Sequence, residues 1–177
     1  MEENKKYKVT NRSIGLVCYK IPDLNIARRI HPNESIIVTR EELEKLAFRP
    51  GGKTLIYNYL FIQDAEAIKS LGMKVENEYF LSVEEVIELL KNGSIEQFKD
   101  TLDYAPKGIL DIIKDQAVKL PLNDYAKREA IRAKTGFDVS AALVKNSDNE
   151  TEVEHVQGTR RTEAPIPQAL KPKIEMK

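Results

Sequence analysis

The sequence predicts an α+β chain: a small antiparallel β-meander at the N-terminus, a bundle of short helices after it, and an extended C-terminal tail. Three observations carry this. The first 38 residues are short runs rich in Val, Ile and Tyr, broken by turn residues. From Thr39 onward the apolar spacing changes to threes and fours behind repeated helix-capping signals. Beyond Val144 the apolar pattern ends, and polar residues and prolines take over.

The strands are "YKVT", "LVCYKI", "ARRI" and "SIIV", separated by "NRSIG", "PDLN" and "HPNE". In the last of these turns Pro32 suits the first central position of a type I turn and Asn33 the second. Such a meander is too small to bury both faces and must lean on a helix or another molecule.

"TREELEKLAF" then has Thr39 as N-cap, Glu42 completing a capping box, and Leu43, Leu46 and Ala47 as its buried stripe. "RPGG" stops it, and "TLIYNYLFI" reads as a helical turn leading into a strand. "DAEAIKSLG" is a brief helix between Asp64 and Gly72. Ser82 with Glu85 and Ser94 with Gln97 open two more helices by capping boxes. Pro106 suits the first turn of the next helix, which Pro121 closes, and the last long one runs from Asn123-Asp124 to Gly136. Val86, Leu89, Leu90, Ile95, Phe98, Leu102, Leu110, Ile113, Val118 and Ile131 should form the core of the bundle.

These signals divide the chain into a β-rich part with one helix over 1–62, a helical domain over 63–144, and a tail or arm over 145–177. In the tail, "APIPQALKPKI" keeps Ile166, Pro167, Leu170 and Ile174 as candidate partner-binding anchors. Its prolines favour extended backbone, which fits either a docked arm or a free tail.

Charge narrows the function classes. Basic and acidic residues balance at 28 each, so the whole chain has no bulk attraction for nucleic acid or a membrane surface. Locally they separate: residues 1–60 carry eleven basic and seven acidic side chains, and residues 61–105 four and ten. That polarity suits orientation against a partner or a neighbouring copy. Within the first part, Arg28 and Arg29 form a basic spot fit for a salt-bridged protein contact. No run approaches the length of a membrane span, and the N-terminus lacks an apolar signal core. A single cysteine, Cys18, allows no internal disulfide.

No residues qualify as catalytic, metal-binding or cofactor-binding. His31 sits in a proline turn, His155 lies in the tail, and one Cys with two distant His makes no zinc set. "AFRPGGKT", residues 47–54, fits a relaxed phosphate-loop string. It follows a helix rather than a strand, however, and begins with Ala47 where the motif has Gly. A nucleotide site there is the remote alternative. A nearer alternative is a small DNA-binding or regulatory factor using the helix at 124–135, with Lys127, Arg128, Arg132 and Lys134. Asp124 and Glu129 dilute that patch, and a solvated helix face accounts for it more simply.

Two longer stretches, "YKVTNRSIGLVCYKIPDLNIARRIHPNESIIVTREELEKLAFRPGG" and "YAPKGILDIIKDQAVKLPLNDYAKREAIRAKTGFDV", resemble small virion proteins of tailed bacteriophages and prophages. The likeness covers roughly residues 7–144 and lies in overall pattern rather than in a motif. It implies a non-enzymatic, capsid-associated structural or auxiliary protein, found in the virion and, before assembly, in the host cytoplasm. Its implied partners are the major capsid protein, other virion proteins or further copies of itself, with no membrane or nucleic-acid partner expected. No site residues carry over from the resemblance.

Overall fold

The computed structural model describes residues 5–73 and 77–146, and its architecture is α+β. Strand β1 (Lys6–Asn11) lies between β4 (Ser35–Thr39) and β5 (Leu60–Ile62), antiparallel to both. Strands β2 (Val17–Ile21) and β3 (Ile26–Ile30) form a separate antiparallel pair, with Val17 opposite Ile30 and Ile21 opposite Ile26. The meander is therefore split over two sheets, and its fifth strand comes from the apolar end of "TLIYNYLFI".

The turn before β4 departs from the type I geometry expected for it. Glu34 N–H donates to His31 O at 3.0 Å, but Asn33 has φ 60°. Positive φ at the second central residue is the mark of a type II turn, which asparagine tolerates better than most residues.

Helix α1 (Arg40–Phe48) starts at Thr39, whose hydroxyl accepts from Glu42 N–H at 3.2 Å. It buries Leu43, Leu46 and Ala47 against the sheets. Helix α2 (Gly52–Tyr59) follows after a tight turn and runs straight into β5. Helix α3 (Ala65–Ser70) is capped by the Asp64 carboxylate, which accepts from Glu66 and Ala67 N–H. Together these elements enclose a first apolar core reaching from Tyr7 to Leu71.

A second core is built by α4 (Val83–Asn92), α5 (Ile95–Tyr104), α6 (Lys107–Lys119) and α7 (Tyr125–Thr135). Both predicted serine capping boxes are present, at Ser82 with Glu85 and at Ser94 with Gln97. Helix α4 packs on α6 and α5 on α7, around Val86, Phe98, Ile109, Ile113 and Ile131. Gly136, at φ 73°, ends α7 in the left-handed conformation that glycine adopts without strain. Helical backbone resumes over 139–146.

Both cores belong to one compact unit, Met1–Leu143. They meet where α6 starts. A Cβ at Gly108 would stand 2.3 Å from Arg12 O and 2.8 Å from Asn58 O, so main chain abuts main chain there. Pro106 cannot cap α6 with a side chain. Asn58, buried in α2, instead accepts from Lys107 N–H at 3.5 Å while its own amide donates to Thr54 O at 2.9 Å. A second unit, Val144–Lys177, has described backbone only to residue 146.

Candidate functional site

The glycine-lysine-threonine string lies in a helix-to-helix junction. Gly51 takes φ 77°, and Gly52, expected in the turn, is the first residue of α2 and is buried. Its N–H donates to Arg49 O at 2.9 Å and is thereby occupied. A Cβ on Gly52 would lie 1.7 Å from the Leu46 carbonyl oxygen, so the residue is glycine because α1 and α2 touch backbone to backbone. Lys53 and Thr54 project into solvent. Ala47 is on the buried face of α1, as its place in the apolar stripe predicts. A phosphate loop joins a strand to a helix, and no strand precedes this one.

The basic pair of β3 divides by strand alternation. Arg29 is exposed opposite Cys18. Arg28 faces α1 and grips Glu42 with two parallel bonds, Nε to Oε1 and Nη2 to Oε2, both at 2.9 Å. Glu42 Oε1 also accepts from the Tyr19 hydroxyl at 2.7 Å, and its side chain is 1% exposed. Burial works to raise the Glu42 carboxyl, but the bonds from Arg28 and Tyr19 and the backbone of Thr39 outweigh it and hold it below its ordinary 4.5. Tyr19 is pushed up from 10.0, first by burial and then by its bond to Glu42. This triad pins the β2–β3 pair to α1. Arg28 is thus engaged within the fold while its side chain stays partly exposed, and Arg29 is presented outward.

The helix proposed for DNA is likewise engaged internally. Lys127 is buried, and its ammonium donates to the carbonyls of Leu89 at 3.1 Å and Leu90 at 2.8 Å, near the end of α4. A cation there meets the negative pole of the helix, and it shares Leu89 O with the capping N–H of Gly93. Arg128 reaches Ser140 and the carbonyl of Asn123, Arg132 pairs with Glu129 at 3.8 Å, and Lys134 pairs with Asp103 at 2.9 Å.

A cleft of about 490 Å³ opens at the seam between the cores, bordered by Arg12, Ser13, Val83, Ile112 and Gln116. Asp115 on its wall holds Lys119 at 2.8 Å and accepts from Gln116 at 3.0 Å. Arg12 donates to Asn33 at 2.9 Å. Nearby, Asn11 is fully buried, donating to Gly15 O and Ile30 O and accepting from the Ser13 hydroxyl. It fixes the turn from β1 to β2, a role no local pattern in "NRSIG" announces.

Several large apolar side chains are exposed among the charged ones. Phe48 at the end of α1 is 86% exposed, Tyr125 at the start of α7 71%, and Ile37 in β4 56%. The anchors Ile166, Pro167, Leu170 and Ile174 lie outside the described residues. Among the described residues no helix is long and apolar enough to cross a membrane, and no group of three or more His, Cys, Asp or Glu is placed to hold a metal ion. No family model, curated protein or solved structure matches the chain.

Proposed function

We propose that this chain is a non-enzymatic structural or auxiliary protein of a phage particle, acting through protein–protein contacts with the major capsid protein, other virion proteins or its own copies. The observation that carries the reading is Phe48, held 86% exposed on a folded helix. Leaving it there forgoes most of the roughly 1.5–3 kcal/mol that burying such a side chain returns. Ile37 and Tyr125 repeat the arrangement on β4 and α7. Large apolar groups on regular elements supply pre-ordered contact area, and a shell multiplies each weak contact by its copy number. The resemblance to virion proteins points the same way.

Quantitative mass spectrometry of purified particles, from a culture encoding this chain, should find it in many copies. Phe48→Ser should lower that copy number several-fold while leaving the circular dichroism spectrum unchanged. Particles without the chain would overturn the reading. The helix at 124–135 supports no second reading, since its four cations have partners within the protein.

A further inference from the structure

Strand β4 is an outer strand of its sheet, and its backbone alternates between two directions. Arg40 N–H donates to Lys5 O at 3.0 Å and Asn11 N–H donates to Glu34 O at 2.9 Å, in step with the β1–β4 register. Even-numbered residues of β4 therefore turn their N–H and C=O groups toward β1. Ser35, Ile37 and Thr39 turn theirs the other way, to an edge that no strand among the described residues covers. That edge has no proline, lysine or acid between Ser35 and Thr39, so it lacks the usual devices that blunt an open strand.

We infer that β4 is a self-pairing strand: two copies of this chain join antiparallel along it, about a twofold axis at Ile37, fusing two three-stranded sheets into one. Pairing about Ile37 sets Ser35 against Thr39, Ile36 against Val38, and Glu34 against Arg40. The three outward-facing residues then meet outward-facing partners. Side chains match as well, because Ile36 and Val38 lie toward the core and Ile37 lies on the exposed face in both copies.

The ends carry the strongest discrimination. Each junction opposes an acid to a base, and the symmetry makes the match twice. Within one copy Glu34 accepts from His31 N–H at 2.7 Å, and Arg40 Nε holds Glu44 at 2.7 Å, which stations each charge at its end of the strand. Other axes fail. An axis between two residues would set core-side side chains against exposed ones. A centre at Ile36 or Val38, although it also pairs outward-facing groups, would set Glu34 against Val38 or Ile36 against Arg40 and lose the match of charges. Centring on Ser35 draws in the Asn33 turn, and centring on Thr39 draws in the start of α1.

This supplies the self-contact that the proposed function leaves unspecified, yet it requires no particle, so the two ideas can fail separately. The test uses the full chain in solution. Light scattering across a concentration series should show a monomer–dimer equilibrium, which Ile37→Lys weakens at least about tenfold by blunting the edge. That position is solvent-facing, so circular dichroism should be unaltered. Glu34→Arg and Arg40→Glu, each alone, should be monomeric, because each sets like charges together at both ends. Mixed, they should form a heterodimer well above its statistical share in native mass spectrometry. A wild-type chain that stays monomeric throughout overturns the inference. So does a dimer indifferent to Ile37→Lys, or random mixing of the two charge variants.

Discussion

Replacing Arg28 by alanine tests the reading that the β2–β3 pair is held to α1 by one buried charge. In the native protein the Glu42 carboxylate has no solvent to rely on and takes three side-chain hydrogen bonds, two of them from Arg28. Removing one partner of a fully buried ion pair costs about 3–5 kcal/mol, since the other charge is left uncompensated. Arg28 is itself 37% exposed, so water already shares in its solvation and can enter where it stood. We therefore expect a loss of about 2–3 kcal/mol at neutral pH.

Urea denaturation followed by circular dichroism reads this as a midpoint lower by about 1–2 M, with an unchanged slope. The loss should depend on pH in a defined direction. Glu42 has a depressed folded-state pKa, so its contribution is complete above the ordinary value of 4.5 and fades as pH falls below that value. The penalty of Arg28→Ala should therefore shrink at acid pH, where Glu42 accepts a proton. Arg28→Met combined with Glu42→Leu should recover much of the stability, since no charge is left buried. A penalty below about 0.5 kcal/mol at neutral pH, the range of ordinary surface changes, would refute the reasoning.

Tyr19→Phe probes the alkaline side: the raised phenol contributes fully below 10.0 and its share is lost as pH rises beyond, so the variant should flatten the decline in stability above that pH. At neutral pH it should cost about 1.5–3 kcal/mol, the worth of a hydrogen bond to a charged group, as read by denaturation midpoints. Gly52→Ala should cost about 3 kcal/mol or prevent folding, because the added methyl meets the Leu46 carbonyl. Lys53→Ala, one residue on and exposed, should change the melting temperature very little. Lys127→Met should cost about 2 kcal/mol by leaving the Leu90 carbonyl without its side-chain donor and the Leu89 carbonyl with Gly93 N–H alone, and hydrogen exchange should accelerate first near the end of α4.

Local chemistry explains which parts of this architecture could be read in advance. Ser82, Ser94, Asp64 and Gly136 act within three or four residues of themselves, and each is where its signal placed it. Val86, Leu90, Phe98 and Ile131 follow the same rule, since helical period alone assigns them to the buried face. Glu42 was legible only in part. Its capping relation to Thr39 is local, whereas its pairing with Arg28 and Tyr19 depends on how the two sheets sit against α1. Lys127 counts as a surface cation in any composition, and its burial follows from the approach of α4, 37 residues away. Gly52 resembled a turn residue because a glycine required by contact and a glycine required by φ look the same in a string. The exposed groups, Phe48 and Ile37 among them, carry no sequence mark, since an apolar residue at the end of a helix or inside a strand is ordinarily buried.

The contact at Gly108 ties the two cores of the first unit into one mechanical body. With Arg12 O and Asn58 O against Gly108, two main chains meet there with the Tyr59 ring alongside, and neither carbonyl can rotate away or be exchanged for a smaller group. A disturbance of β1 or α2 is passed to α6 as a displacement rather than absorbed. Severing the link between Leu71 and Phe80 would therefore yield two fragments that each lack a wall, not two smaller proteins.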